Sequence, residues 1–241
     1  MNEVGDNRET LTEIAVRQNG ERGSNSKSHL FYGVYERYFA PLRDEKLTVL
    51  EVGVYEGEST RVFAEYFRNS QILAVDIEDL ANLGDVPNVS FHQFSQTDAN
   101  AWRDLLEEKA PDGVDIVIDD ASHVGLFSQI TFCHLFPRLK PGGLYVVEDW
   151  GSGYFPFHVD GAPFTPTLPE VSGTEIPKNI KSHDAGMVGF LKWLIDLQGA
   201  QDILLGGGEP PPFGGPFGGM PTEYLHVYHG IAIARKSLEL G

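Results

Sequence analysis

Acidic side chains gather at two points of the sequence, and a histidine lies beside one of them. Asp119 and Asp120 follow one short apolar run. Glu148 and Asp149 end the next such run, and His123 lies three residues after Asp120. Like charges at close range are costly unless a positive charge lies between them. Carboxylate oxygens favour Mg²⁺, Mn²⁺ or Ca²⁺ over zinc, so Asp120, Glu148 and Asp149 are the best ligand set.

His123 is well placed to act as a general base beside such a cation. A cation that binds a substrate hydroxyl lowers the pKa of that hydroxyl, and an imidazole nearby can take the proton. A simpler interpretation stays open, because acids at strand ends often cap helices or face water. A histidine on its own is more often a hydrogen-bonded polar residue than a catalyst.

A glycine-containing turn follows the first apolar run and predicts a ligand-binding loop. Glu51 precedes Gly53 by two residues, and Gly57 follows it by four. Glycine lets the backbone turn sharply and approach a ligand closely, while the next helix aims its N-terminal amides at that ligand. The spacing differs from the dinucleotide pattern, and Glu56 and Glu58 would repel a pyrophosphate. A cationic sulfonium cofactor with an amino-acid tail, S-adenosylmethionine, fits this acidic loop better.

Polar side chains at the ends of the next two strands fit the rest of a nucleoside. Asp76 ends the second predicted strand, where a carboxylate can accept hydrogen bonds from both ribose hydroxyls. Gln96 and Asp98 follow the third strand, where Asp98 can meet an adenine amino group. Asp98 is equally suited to N-cap the following helix, and the two roles are compatible.

Apolar periodicity predicts an α/β fold in which strands and helices alternate. The predicted strands are 47–53, 71–77, 89–94, 114–118, 144–147, 224–228 and 231–235. The predicted helices are 29–39, 59–67, about 98–109, about 124–139 and about 184–197. Such alternation gives a mostly parallel sheet with helices on both faces. A C-terminal antiparallel hairpin completes a seven-stranded, Rossmann-like sheet, which is the arrangement of class I methyltransferases.

The sequence predicts one domain preceded by a short polar segment. Residues 1–26 are expected to form a flexible N-terminal segment, with a short helix near 8–17. Residues 27–241 are expected to form the domain, with loop insertions at 151–179 and 206–221. Proline and glycine punctuate both insertions, and a long irregular stretch inside a compact domain is usually a functional loop.

Charge and composition exclude several classes of partner. The formal net charge of −17 is opposite to what nucleic acids or anionic membranes attract. A small molecule with a free hydroxyl is a better-suited substrate. The single cysteine, Cys133, excludes an intrachain disulfide and lies in an apolar run that suggests burial. No run approaches the ~20 apolar residues of a membrane helix, so a cytoplasmic location is expected; assembly into a homo-oligomer stays open.

Several motifs together resemble one family. They are KSHLFY at 27–32, VLEVGV at 49–54, IDDASH at 118–123, LKPGGLYVVED at 139–149 and LID at 194–196. Their order is similar to that of the sugar O-methyltransferases of macrolide and rhamnoside biosynthesis, over roughly residues 27–236.

The resemblance implies an O-methyltransferase that uses S-adenosylmethionine and Mg²⁺ or Mn²⁺ and acts on a sugar hydroxyl of a natural product, as in antibiotic biosynthesis. It implies a cation on Asp120, Glu148 and Asp149, with His123 as base. The cofactor-binding candidates are Glu51, Gly53, Ser59, Asp76, Gln96, Asp98 and Asp119. Two alternatives stay open: a cephalosporin hydroxylase-like relative, and a non-catalytic subunit that binds the cofactor.

Overall fold

Strands and helices alternate along the chain in the order that the apolar pattern predicts. The computed structural model describes residues 8–20, 29–79, 83–165, 181–208 and 221–238. Its strands are β1 (Thr48–Val52), β2 (Gln71–Asp76), β3 (Val89–Gln93), β4 (Val114–Asp119), β5 (Leu139–Glu148), β6 (Thr222–Val227) and β7 (Ile231–Lys236). Its helices are α1 (Leu11–Asn19), α2 (His29–Phe39), α3 (Glu58–Tyr66), α4 (Ala99–Lys109), α5 (Gly125–Leu135) and α6 (Gly186–Leu205).

The strands form one seven-stranded sheet in the order β3-β2-β1-β4-β5-β7-β6. β1 to β5 are parallel to one another, whereas β7 is antiparallel to both β5 and β6. The predicted fold class, a mostly parallel sheet that ends in an antiparallel hairpin, is therefore confirmed. Asp119 pairs with Val52 of β1 on one side and with Val147 of β5 on the other. The carboxyl ends of the three central strands consequently lie side by side.

Two apolar clusters cover the two faces of this sheet. Side chains of α4, α5 and α6 pack on one face, with Trp102, Phe132 and Phe190 as large members. Side chains of α1, α2 and α3 pack on the other, with Tyr35 and Phe63 among them. Every residue of β1 is buried, which is usual for a central strand covered on both faces.

The connection into β5 differs from the prediction. A helix was expected to continue to residue 139, but α5 ends at Leu135 and a 3₁₀ turn follows at Phe136–Arg138. Pro137 explains this difference, since proline lacks the N–H that would continue the helix. Residues 140–143, which precede the predicted strand 144–147, belong to the first half of β5, whose pairing with β4 is irregular between Val114 and Ile116.

The N-terminal segment contains the helix that the sequence suggests near 8–17. α1 begins with a capping box, in which Thr10 and Glu13 bond each other's backbone N–H. Leu11 and Ile14 are buried, and the Leu11 N–H donates to Glu36 Oε2 at 2.7 Å. Part of the 1–26 segment thus packs against α2. Flexibility of the segment and a domain boundary at residue 26 stay predictions.

The two predicted loop insertions lie only partly within the described residues. From Trp150 to Tyr154 the chain forms a 3₁₀ turn, followed by further turns as far as residue 165. Residues 166–180 and 209–220 lie outside the described residues. Within the part of the chain that the structure describes, no helix combines the length and apolar character needed to cross a bilayer.

Lys236, the last residue of β7, provides a test of the packing. Its Nζ donates to the backbone oxygens of Phe136, Pro137 and Leu139 at 3.3, 2.9 and 2.6 Å. Lys236→Met leaves these buried carbonyls without their donor. We therefore expect the free energy of unfolding, measured by urea denaturation, to fall by at least about 2 kcal/mol. Lys140→Met is the control, because its ion pair with Asp115 is partly exposed and such pairs contribute about 1 kcal/mol or less. Equal losses in the two variants would contradict this role.

Candidate active site

Side chains from the ends of β4 and β5 converge at one point. His123 Nε2 lies 3.8 Å from Asp120 Oδ1 and 3.8 Å from Asp149 Oδ2. One ligand atom from each of these three residues lies within 4.8 Å of the others, and all three side chains are half-buried. The two carboxylates are oxygen donors of the kind that Mg²⁺ or Mn²⁺ prefers. The arrangement therefore fits a divalent cation.

The backbone is strained at this point. His123 has a φ of 52° and Asp149 a φ of 50°, in the left-handed region that non-glycine residues rarely adopt. Each such residue costs about 1–3 kcal/mol and persists only where its surroundings hold it, most often at functional sites. Trp150 Nε1 donates to the backbone oxygen of Tyr228 at 2.9 Å, and this bond fixes the chain just after Asp149.

Glu148 lies beside this cluster but is oriented differently. Among the described residues, the group whose ligand atoms converge consists of Asp120, His123 and Asp149, and Glu148 is not part of it. Glu148 is only 1% exposed, and its Oε1 accepts a hydrogen bond from the Tyr35 hydroxyl. A role for Glu148 as a cation ligand stays a prediction.

A cavity of about 580 Å³ adjoins the cluster at the carboxyl ends of β1 to β4. Three of the predicted cofactor-binding candidates, Gly53, Asp76 and Gln96, line it. Their contact with a cofactor stays a prediction. Asp120 also lines the cavity, so the cavity and the cation cluster share a residue. In open α/β sheets, ligands bind outside the carboxyl ends of the strands.

Hydrogen bonds hold the Asp76 carboxylate at the cavity wall. Its Oδ2 accepts from the N–H groups of Val54 and Tyr55 at 2.6 and 3.0 Å. Its Oδ1 accepts from the Glu78 N–H at 2.9 Å. These bonds tie the turn after β1 to the end of β2, and they orient the carboxylate before any ligand binds.

Gln96 fixes the opposite side of the cavity. Its Oε1 accepts from the Ser122 N–H at 3.2 Å, and its Nε2 donates to Thr131 Oγ1 at 2.9 Å. The side chain thus connects the end of β3 to the segment between Asp120 and His123.

Glu51 and Ser59 lie behind the cavity rather than in its wall. Ser59 Oγ donates to one Glu51 carboxylate oxygen at 2.6 Å, and Thr60 Oγ1 donates to the other at 2.6 Å. Glu51 is fully buried, so these bonds offset the loss of its hydration. Both residues brace the start of α3 against β1, and their direct contact with a cofactor stays a prediction.

Asp98 and Asp119 also lie outside the cavity wall. Asp98 N-caps α4 by accepting from the Asn100 and Ala101 N–H groups, both at 3.0 Å. Asp119 is buried and accepts from the Tyr145 hydroxyl at 3.2 Å. Burial raises the pKa of Asp119 to about 7. Cofactor contact by either residue stays a prediction.

The structure adds residues that the sequence reasoning missed. Tyr55, Ile77 and Phe127 line the cavity and expose apolar surface. The His158 ring centre lies 6.4 Å from that of His123, and His158 Nδ1 lies 3.4 Å from Asp160 Oδ1. Ile77 could have been found from the sequence, because it lies at the end of the second predicted strand. His158 could not, because it lies in an irregular loop without a motif.

Comparison with known proteins finds similar chains. Residues 50–150 match the family described as "Methyltransferase domain". An 8-demethyl-8-alpha-L-rhamnosyl tetracenomycin-C 2'-O-methyltransferase of Streptomyces olivaceus is 42% identical over 61% of this chain and 39% of its own length. The mycinamicin VI 2''-O-methyltransferase of Micromonospora griseorubida is 32% identical over 86% of this chain and 48% of its own length.

A solved structure is also similar. It is the MycE methyltransferase of mycinamycin biosynthesis in complex with Mg, SAH and mycinamycin VI. The TM-score is 0.73 at 28% identity, covering 96% of this chain and 54% of that one. This chain thus spans about half the length of MycE, and less than half that of the two relatives. The predicted resemblance to sugar O-methyltransferases is confirmed.

Gly53 provides a test of the close packing behind the site. Its φ is +87°, and a Cβ there would lie 2.2 Å from the Asp120 backbone oxygen. Gly53→Ala must therefore move the segment that carries Asp120. We expect the free energy of unfolding, measured by urea denaturation, to fall by about 3 kcal/mol or more.

Gly199→Ala is the matched control for Gly53→Ala. It lies inside α6, and a Cβ there would meet nothing within 4 Å. Because alanine favours the helix more than glycine does, the free energy of unfolding of this variant should rise by up to about 1 kcal/mol. Wild-type stability of Gly53→Ala would show that the two segments do not approach each other in this way.

Proposed function

We propose that this chain, a class I methyltransferase by its fold and by its domain at residues 50–150, methylates a hydroxyl group with S-adenosylmethionine and a divalent cation. The acceptor that we propose is a glycosylated small molecule, methylated on its sugar. The observation that carries this proposal is the cavity at Asp76, which meets the cluster of Asp120, His123 and Asp149 at a shared residue.

The acidic cavity supports this choice of cofactor. Glu56, Glu78 and Asp79 lie in its wall together with Asp76. Negative side chains at this density repel a pyrophosphate and attract a positively charged ligand. A sulfonium cofactor meets this requirement, and Asp76 is oriented to accept hydrogen bonds from its ribose. Gln96 and the backbone at Gly53 complete the contacts that we propose.

The residues of the cluster have two roles in this proposal, cation binding and proton transfer. Asp120 and Asp149 would hold Mg²⁺ or Mn²⁺, with Glu148 as a further ligand. When bound, S-adenosylmethionine supplies the methyl group, and the cation supplies the Lewis acidity that lowers the pKa of the acceptor hydroxyl. His123 Nε2 receives the proton of that hydroxyl. The positive charge that the ring gains then faces Asp120 and Asp149, each 3.8 Å away.

The remaining proposals concern the surroundings of this reaction. The relatives named above are, by their names, O-methyltransferases, one acting on a rhamnosyl tetracenomycin and the other on mycinamicin VI. We infer a similar class of acceptor here, and a cytoplasmic location that matches it. A domain over residues 27–241, with the two loop insertions at 151–179 and 206–221, would carry the activity. Nucleic acid is not a proposed substrate, and the oligomeric state is left open.

Removing the proposed base should slow the chemical step. We expect His123→Ala to lower turnover by ~10²-fold or more, since a general base contributes on that order. Affinity for S-adenosylhomocysteine, measured by calorimetry, should stay nearly unchanged. His134→Ala is the control, because His134 lies in the last turn of α5, away from the carboxyl ends of the strands. Wild-type turnover in His123→Ala would contradict the assignment of the base.

Removing the cation should stop methyl transfer. We expect EDTA to abolish formation of S-adenosylhomocysteine across a panel of glycosylated acceptors, and excess Mg²⁺ to restore it. Asp120→Asn should reproduce the loss, while Asp104→Asn, on the exposed face of α4, should not. An equal rate of S-adenosylhomocysteine formation with and without EDTA would exclude a role for the cation in methyl transfer. Cofactor binding without transfer to any acceptor would favour a non-catalytic subunit.

A further inference from the structure

Tyr35 holds the Glu148 carboxylate by a hydrogen bond. Tyr35 lies in α2, and its hydroxyl donates to Glu148 Oε1. Tyr35 is fully buried and Glu148 is 1% exposed, so water is excluded around this contact. Because a buried carboxylate is costly without hydrogen-bond donors, this bond contributes more here than it would at the surface.

Aromatic packing leaves Tyr35 little freedom to move. Its ring stacks on Phe39 at a centroid distance of 4.9 Å and meets the edge of Phe63 at 5.4 Å. The hydroxyl is therefore held where it donates to Glu148 Oε1.

The position of Glu148 gives this contact its significance. Glu148 is the last residue of β5 and directly precedes Asp149 of the cation cluster. A hydrogen bond to one oxygen restricts the rotation of the whole carboxylate. In metal sites, partners that hydrogen-bond to the ligands orient them and tune metal affinity.

We propose that Tyr35 is a positioning residue of the cation site, which sets the affinity for a divalent cation by orienting the Glu148 carboxylate. This inference rests on the proposed function, in which Glu148 is a ligand. It connects α2, an element outside the matched domain at residues 50–150, to the chemistry at the ends of β4 and β5.

Another tyrosine–glutamate pair, which is partly buried, provides a comparison outside the cation cluster. Tyr66 is 1% exposed, and its hydroxyl donates to Glu36 Oε1 at 2.8 Å. Glu36 also accepts the Leu11 N–H, so this pair joins α1 to α2 and α3. Tyr66 is therefore a matched control, because removing its hydroxyl affects packing and not the ends of β4 and β5.

The test compares Tyr35→Phe with Tyr66→Phe in the full-length chain. Mn²⁺ binding is followed by electron paramagnetic resonance, with S-adenosylhomocysteine present. We expect Tyr35→Phe to weaken Mn²⁺ binding about 10- to 100-fold, while its affinity for S-adenosylhomocysteine without metal stays at the wild-type value. Tyr66→Phe should bind Mn²⁺ as the wild type does. In a Glu148→Gln background, Tyr35→Phe should cause no further loss, because the tyrosine acts through that carboxylate.

The outcomes separate this inference from the proposed function. A wild-type chain that binds no Mn²⁺ would overturn both. Wild-type binding with equal affinity in Tyr35→Phe would overturn only the role of Tyr35, as would equal weakening in both phenylalanine variants.

A second measurement covers the case in which Tyr35→Phe does not fold. The wild-type chain is prepared with 3-fluorotyrosine at its nine tyrosines, and ¹⁹F resonances are followed during Mg²⁺ addition. A buried tyrosine resonance should shift as the site fills, and an unchanged spectrum at saturating Mg²⁺ would overturn the proposal.

Discussion

The repulsion between carboxylates at the ends of β4 and β5 is the constraint on which the other features of the site depend. Parallel pairing places these strand ends side by side, so Asp120 and Asp149, which directly follow the two strands, lie close together. His123 lies between them, and two of these three residues adopt left-handed backbone. Strain and like charge at one point persist only where the surrounding fold holds them, and a cation relieves the second of these costs.

Acids are also buried behind the site, and each is matched to hydroxyl donors. Glu51 accepts from Ser59 and Thr60, while Glu148 accepts from Tyr35. Hydroxyl groups satisfy a carboxylate without adding a second charge, which leaves the negative potential of this edge intact. The interior of the sheet thus reinforces the preference of its surface for positively charged ligands.

The cavity and the cation cluster form a continuous site because β1 and β4 approach each other closely beyond their paired residues. Gly53 makes this approach possible, since any side chain there would collide with the backbone of Asp120. Asp120 consequently faces both the cavity and the cluster. A methyl donor in the first and a hydroxyl in the second would lie next to each other, which is the proximity that transfer requires.

The sequence by itself determined the order of elements, the parallel sheet with its terminal hairpin, and the gathering of acids at strand ends. These features follow from local periodicity and from the rule that parallel strands end at a common edge. Only the tertiary structure decided which acids converge and which lie behind the site. Glu148 and Asp149 are neighbours in the chain, yet one is held by Tyr35 and the other faces His123. Side-chain direction at a strand end depends on backbone torsion and on partners distant in sequence, and neither is encoded in residue spacing.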